Sequence, residues 1–306
     1  MHSDAMRHDL LVYDSDEQYM EQMVPFFEAG LERGNALVAV PARATAPLLR
    51  EALGPASEQV RFHICEDWYT RPEAALASYD AAVRACLRDG ATGVCVVAEV
   101  PFCSSQYGWD SWIRYEAIFN AAFAGRPVSV TCTYDARAVP DRVVDAVRQA
   151  HPHLVSEDGR RENPDYQDPA EVLRRFEPRP EPLPDLHDLP VGGDPRALRA
   201  ALLEELAHAG VARNQAEAML LAIGEVMVNA ARHGGGVRSL RVGGGRGTFA
   251  CQVSDGGSGF EDPFAGYVPP GAPAASGAGL WVARQLTRRL DLAPSPEGGL
   301  RVTLWT

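Results

Sequence analysis

A proline-dense, acidic segment divides this chain and limits how it can fold. Seven prolines fall between residues 164 and 190, among many acidic residues, and only Glu171 to Phe176 has helical character. Because proline fixes φ and removes a backbone donor, this composition predicts a semi-rigid linker, part of it polyproline II in character. With 306 residues, the chain has room for a domain on either side. We therefore predict domains at residues 1–155 and 192–306, joined by a linker at 156–191.

The first domain has the pattern of an α/β fold with a doubly wound, mostly parallel sheet. Short apolar runs rich in Val, Leu and Cys alternate with stretches of helical periodicity. Near-continuous apolar strands between helices are typical of a parallel sheet covered on both faces. The predicted strands are 10–13, 36–40, 60–65, 93–97 and 128–133, and the predicted helices are 16–33, 45–53, 72–88, 110–124 and 141–150.

The second domain begins with two helices. Asp194 and Pro195 are typical of a helix start and Gly210 of its end, and Asn214 is expected to cap a second helix that runs to His233. The later predicted elements are strands at 238–242 and 248–253, a loop rich in Pro, Ala and Gly at 261–276, a helix at 279–290 and a strand at 300–305.

Composition excludes several function classes. All 29 basic residues are arginine, so a Walker A lysine and Schiff-base catalysis are ruled out. The net charge of −12 argues against direct nucleic-acid binding. No apolar run reaches the ~18 residues of a membrane span, and the N-terminus has no signal-peptide core, so we expect a cytoplasmic protein without membrane contact. The six cysteines form no C-x-x-C pair and are interpreted as buried apolar residues.

The second helix of the second domain carries a polar pair. Glu225 and Asn229 are four residues apart and therefore share a face, beside the apolar stripe of the helix. An amide oxygen is a suitable ligand for Mg²⁺, and a nearby carboxylate can orient or deprotonate a nucleophile. Taken alone, the pair also fits the polar edge of an ordinary amphipathic helix.

Two glycine-rich motifs follow this helix. Residues Asp255 to Gly259 read Asp-Gly-Gly-Ser-Gly, directly after a predicted strand. There, glycine lets the backbone approach a ligand closely, and a buried Asp can accept a hydrogen bond from an exocyclic amine. By itself this stretch is equally a tight turn. Residues Gly277 to Leu280 read Gly-Ala-Gly-Leu and open a predicted helix, whose free N–H groups and dipole would favour phosphate.

In this order, the three motifs resemble those of the Bergerat-fold ATPases, the family of gyrases, MutL proteins, histidine kinases and anti-sigma-factor kinases. Residues 225–233 look like the N box of that family, 255–259 like its G1 box and 277–280 like its G2 box. The resemblance spans residues 192–306. It implies an α/β sandwich with a mixed sheet that binds ATP and Mg²⁺.

The resemblance also implies roles for individual residues. Asn229 would coordinate Mg²⁺ at the phosphates, Asp255 would bind the adenine amine, and Glu225 would be the candidate general base. Residues 261–276 would form a mobile lid over the nucleotide. The residues implied to shape the purine pocket or to hold phosphates are Gly257, Gly259, Gly277, Gly279 and Leu280.

Within this family, the short domain and residues 277–286 are most similar to the anti-sigma-factor serine/threonine kinases. Such a protein would sequester a sigma factor and phosphorylate a Ser or Thr of a STAS-type anti-anti-sigma protein. Relatives of this domain commonly dimerise, so a homodimer is one expected state. Two alternatives stay open. One is a non-catalytic switch in which ATP only sets partner affinity, and the other is a sensor histidine kinase, with His151, His153 or His187 as acceptor.

The first domain resembles the sensory domain known as MEDS, through residues 8–16, 115–116 and 132–135. The resemblance implies a sensor of an unidentified small molecule. The turn after the first strand has no phosphate-binding loop, so nucleotide hydrolysis is not expected in this half. Several residues near strand ends or on one helix are candidate ligand contacts, although aromatic core packing is the favoured explanation for them. They are His8, Asp14, Tyr107, Trp109, Trp112 and Glu116.

Overall fold

The computed structural model describes residues 6–100, 108–259, 261–271 and 277–306. The chain forms two compact units that divide between Pro178 and Arg179, inside the predicted linker. Each unit contains one sheet. Among the described residues, no helix combines the length and the apolar character needed to cross a membrane.

The first unit is built on a seven-stranded sheet in the order β3-β2-β4-β5-β1-β6-β7. Its strands are β1 Arg7–Tyr13, β2 Ala36–Val40, β3 Val60–Phe62, β4 Val94–Glu99, β5 Val128–Asp135, β6 His153–Ser156 and β7 Gly159–Glu162. Its helices are α1 Asp16–Glu32, α2 Thr45–Leu53, α3 Cys65–Trp68, α4 Pro72–Arg88, α5 Trp109–Ala122, α6 Asp141–Arg148 and α7 Pro169–Arg175. Every strand pair is parallel except β6 with β7, which confirms the predicted mostly parallel sheet.

Helices cover both faces of this sheet. Because side chains alternate across a strand, Leu11 and His8 of β1 point to opposite faces. Leu11 packs in the core shared with α1 and α2, next to Met23 and Leu49. His8 contacts Glu116 of α5 on the other face. The doubly wound architecture follows directly from this division.

The second unit contains a five-stranded sheet in the order β11-β12-β10-β9-β8. Its strands are β8 His187–Leu189, β9 Val237–Gly245, β10 Thr248–Asp255, β11 Arg289–Pro294 and β12 Leu300–Trp305, and its helices are α8 Pro195–His208, α9 Arg213–His233 and α10 Gly279–Leu286. The helices bury Leu206, Ile223 and Ala283 against Leu240 and Leu304 of the sheet. All described strand pairs here are antiparallel, whereas a mixed sheet was expected.

Several residues of the predicted linker belong to the two units. β6 and β7 extend the first sheet as an edge hairpin, and β8 pairs with β9 in the second. Helix α7 buries Val172 and Leu173, and Pro169 stands at its first position, where a missing N–H costs little. Short elements therefore occupy part of the predicted linker: backbone pairing holds β6, β7 and β8 at the sheets, and two buried side chains hold α7.

Several element boundaries differ from the sequence predictions, among them the following three. Helix α10 ends at Leu286, four residues early, because the following residues pair with β12 as β11. Helix α9 begins at Arg213 with Ala212 as its cap, so Asn214 is not the N-cap. The strand expected at 60–65 ends at Phe62, and a short helix, α3, takes up its last residue.

Candidate functional site

Helix α9 and the start of α10 bring the first and third sequence motifs together. Glu225 and Asn229 lie one turn apart on α9, and both are half-buried. Gly279, the first residue of α10, lies directly against them. A Cβ on Gly279 would be 2.8 Å from Asn229 Nδ2 and 3.1 Å from Glu225 Oε2. Only glycine permits this close approach of the helix start to the polar pair.

The first turn of α10 supplies backbone donors beside that pair. Its cap residue, Ala278, offers no side-chain hydrogen bond. The first N–H groups of a helix have no intrahelical acceptor, and the helix dipole adds positive potential there. Leu280 is partly buried and packs on the core of the second unit, which anchors this turn. The arrangement is suited to binding a phosphate group.

Asp255 ends β10 and is only 8% exposed. Its Oδ1 accepts hydrogen bonds from the backbone N–H groups of Gly257 at 3.0 Å and Leu300 at 2.8 Å. Its Oδ2 receives no hydrogen bond from the described residues. Two donors thus hold the carboxylate in place through one oxygen, while the other can accept from the amine of a ligand.

Two glycines that the sequence analysis did not assign to the site enclose Asp255. Gly234 follows α9 and Gly299 precedes β12, and a Cβ on either would overlap atoms of Asp255. Gly257 is packed against Gly234, since a Cβ on Gly257 would lie 3.0 Å from Gly234 Cα. The glycine runs 234–236 and 298–299 were the available signal in the sequence.

Gly259 and Gly277 have left-handed backbone conformations, with φ of 94° and 127°. A Cβ on either would meet no described atom within 4 Å. Their conformations favour glycine without close packing. Their expected roles in ligand binding stay predictions.

The predicted lid is partly packed against α10. Arg284 Nε donates to the carbonyl oxygen of Ala265 at 3.1 Å, and the guanidinium lies 3.7 Å from the centre of the Tyr267 ring. Arg284 is 6% exposed and was not identified from the sequence. Residues 272–276, the end of the predicted lid, lie outside the described residues. Mobility of the lid stays a prediction.

Of the candidates in the first unit, the fold brings His8 and Glu116 together. Both are fully buried, and His8 Nε2 lies 3.1 Å from Glu116 Oε2. Trp112 belongs to an aromatic cluster with Tyr69 and Tyr115, which agrees with core packing. Asp14 is exposed and Trp109 half-buried, and Tyr107 lies outside the described residues. His8 is the second residue of β1, so the pair is not at the carboxyl edge of the sheet where ligand contacts were expected.

Comparison with known families assigns both parts of the chain. Residues 7–152 match the MEDS family, described as the methanogen/methylotroph, DcmR sensory domain. Residues 194–305 match the histidine kinase-like ATPase domain. A search of curated proteins finds no match to the chain. Both sequence resemblances are confirmed at this level: the chain combines a MEDS sensory domain with a histidine kinase-like ATPase domain.

Proposed function

We propose that this protein is an ATP-dependent anti-sigma factor controlled by its MEDS domain. It would sequester a sigma factor and phosphorylate a Ser or Thr of a STAS-type anti-anti-sigma antagonist. The two family matches support the coarser role of an ATP-binding, kinase-like regulator. The observation that most supports phosphoryl transfer is the contact of Gly279 with Asn229 and Glu225, because a phosphate-binding helix start then borders a carboxamide and a carboxylate.

The residues of the second unit fit Mg-ATP. The carboxylate of Asp255 has an oxygen available for the adenine amine, and the carboxamide oxygen of Asn229 is a hard ligand of the kind that Mg²⁺ prefers. The start of α10 offers N–H groups to the phosphates. When bound, ATP supplies the phosphoryl group to be transferred.

Phosphoryl transfer depends mainly on positioning and on neutralising charge. Glu225 is one helical turn from Asn229 and can accept the proton of a Ser or Thr hydroxyl. Arg284 donates to the carbonyl oxygen of Ala265 and stacks on the ring of Tyr267. These contacts would help to exclude water from the site.

Exposed apolar side chains flank Glu225 on the same face of α9. Leu221, four residues before it, is 60% exposed, and Val228, three residues after it, is 43% exposed. Residues at these spacings are neighbours on a helix surface. Exposed large apolar groups beside a carboxylate suit the docking of a protein substrate and thus favour a protein kinase.

A sensor histidine kinase is less well supported. That class needs its phospho-accepting histidine on a long dimerisation helix before the ATPase domain. His151 is fully buried and follows α6, His153 begins β6, and His187 begins β8. None of the three therefore lies in a helix of the described chain.

Phosphoamino-acid analysis tests the proposal. The full chain is incubated with Mg²⁺, ATP radiolabelled at the γ-phosphate and candidate antagonists. We expect phosphoserine or phosphothreonine on an antagonist, and loss of transfer with retained ATP binding in Glu225→Gln. The matched control is Glu217→Gln, an exposed acid on the same helix whose ion pair in the described structure is with Arg213. ATP binding without transfer would reduce the role to a non-catalytic switch, and phosphohistidine on the chain itself would overturn the proposal.

A further inference from the structure

A second cluster of polar side chains lies inside the first unit, between α5 and the sheet. Its members are His8 of β1, Glu116 of α5, Cys132 of β5 and His151, which follows α6. All four residues are at most 3% exposed. One potential ligand atom from each lies within 4.8 Å of the others. Four segments distant in sequence therefore direct metal-binding groups to one point.

The separations between these atoms are those of a small coordination shell. Glu116 Oε2 lies 3.1 Å from His8 Nε2, 3.5 Å from Cys132 Sγ and 3.5 Å from His151 Nε2. His8 Nε2 lies 3.4 Å from Cys132 Sγ. Zinc bonds of about 2.0–2.3 Å in a tetrahedron place neighbouring ligands about 3.3–3.7 Å apart. The side chains would need little movement to enclose an ion.

The hydrogen bond at Nδ1 of each histidine shows which ring nitrogen carries the proton. The Asn120 amide nitrogen donates to two backbone carbonyls, so its Oδ1 accepts from His8 Nδ1 at 3.1 Å. His151 Nδ1 donates to the carbonyl oxygen of Val147 at 2.7 Å. In each neutral ring the lone pair is then on Nε2, the atom nearest Glu116 Oε2. Histidines that bind metals typically donate their other N–H in this way.

The centre of the cluster has acceptors without enough donors. His151 Nε2 is buried and has no hydrogen-bond partner in the described chain. An unsatisfied buried polar atom destabilises the folded state. A proton on His8 would satisfy its contact with Glu116 but would leave His151 Nε2 unpaired, whereas a central cation satisfies both nitrogens.

The remaining contacts suit a closed site. The Tyr134 hydroxyl donates to Glu116 Oε1, which leaves Oε2 for the centre. Two histidines, a thiolate and a carboxylate form a ligand set that Zn²⁺ accepts, and four protein ligands without solvent access are typical of a structural site. The carboxylate and the thiolate together balance the charge of a divalent ion, as a buried site requires.

We propose that His8, Glu116, Cys132 and His151 bind a structural divalent cation of the zinc class. On binding, a sulfur–metal bond replaces the S–H bond of Cys132, and the proton leaves to solvent. The ion would tie β1, β5, α5 and the segment after α6 together. Stability of the sensory unit would thus depend on metal, independently of the function proposed for the second unit.

Metal analysis of the full chain, purified without a metal-affinity step, tests this inference. We expect one equivalent of Zn²⁺ per chain and a lower thermal midpoint after the ion is removed with a chelator. Reloading with Co²⁺ should produce visible d–d bands and a thiolate-to-Co²⁺ charge-transfer band. Cys132→Ser should lose the charge-transfer band, and His151→Ala should lower the metal content.

Cys86→Ser is the matched control, because Cys86 is a fully buried cysteine of the same unit, on α4 and outside the cluster. It should retain the metal and the band. The inference is overturned if the folded wild-type chain takes up neither Zn²⁺ nor Co²⁺, which would leave a hydrogen-bonded network of His8 and Glu116. It is equally overturned if Cys132→Ser keeps the band. The wild-type measurement decides the question even if a variant fails to fold.

Discussion

Glu116 in the first unit and Asp255 in the second are both buried carboxylates, but their surroundings differ. Side chains from several elements close around Glu116: His8, Cys132, Tyr134 and His151. Asp255 is held by two backbone N–H groups and is bordered by glycines. Converging side chains fill the space around Glu116, whereas Asp255 keeps one carboxylate oxygen that accepts no hydrogen bond from the described residues. The first arrangement suits a small ion, and the second suits a larger ligand.

Neighbouring polar and charged groups can outweigh burial in setting the pKa of a buried carboxyl group. Burial acts to raise the pKa of Glu116, but His151, His8 and the Tyr134 hydroxyl together lower it below its usual value. Glu99, at the end of β4, is buried in the same unit, and no ion pair from the described residues reaches it. Burial raises the pKa of Glu99, although Ala42 N–H and the Tyr13 hydroxyl donate to it. The pKa values of these two buried acids in one unit thus shift in opposite directions.

Removing Glu116 should be the most damaging of the changes considered. Glu116→Ala would leave His8 and Tyr134 without their common acceptor, and breaking a buried charged pair costs about 3–5 kcal/mol. Urea denaturation followed by circular dichroism measures the loss. Glu21→Ala, an exposed acid on α1, should change the free energy of unfolding by less than about 0.5 kcal/mol. Equal effects of the two variants would show that the enclosed cluster contributes nothing to stability.

Asp255→Asn should affect ligand binding instead of stability. The amide oxygen can still accept from Gly257 and Leu300, but an NH₂ group then replaces the second oxygen. Loss of a hydrogen bond to a charged group, about 1.5–3 kcal/mol, corresponds to an ATP affinity roughly tenfold to a hundredfold weaker. Isothermal titration with Mg-ATP measures this. Asp188→Asn, exposed on β8, is the control, and unchanged affinity in Asp255→Asn would mean that Asp255 does not contact the base.

Gly279→Ala tests the close approach of the start of α10 to the polar pair on α9. The added Cβ would press on Asn229 and Glu225, so we expect ATP affinity to fall about tenfold, or 1.4 kcal/mol. The control is Gly245→Ala on β9, where a Cβ meets no described atom within 4 Å. If both variants bind ATP as the wild type does, phosphate is not held at the start of α10.

The smallest expected effect is a pH dependence of folding stability that comes from Glu99. Its raised pKa means that the folded state holds the proton more tightly than the unfolded chain. Its contribution to stability is therefore greatest at acid pH and declines as pH rises from 4.5 through the raised pKa. Glu99→Gln cannot ionise, so its free energy of unfolding should increase relative to wild type over that interval. Urea midpoints from pH 4.5 to 7 measure the difference, and a constant difference would refute the assignment.

Local patterns predicted much of the first unit. The boundaries of Ala36–Val40, Thr45–Leu53 and Pro72–Arg88 agree with the structure to the residue, because apolar periodicity and capping residues act within a few positions. Strands β6, β7, β8 and β11, at or next to the edges of the sheets, were not predicted. Their pairing depends on partners elsewhere in the chain, which local propensity does not report.

Motif spacing along the chain was enough to select Glu225, Asn229, Asp255 and Gly279 as one candidate site, and the ATPase-domain match agrees with that family. Spacing could not select Gly234, Gly299 or Arg284, since each acts through a contact made by folding. The same holds for the cluster of His8, Glu116, Cys132 and His151. In the sequence, His8 and Glu116 were candidate ligand contacts, Cys132 a buried apolar residue and His151 a possible acceptor histidine, with no signal that joined them. Sequence order dictates which groups share a helix or strand, but only tertiary packing decides which elements meet, because those contacts join residues as far apart as 8 and 132.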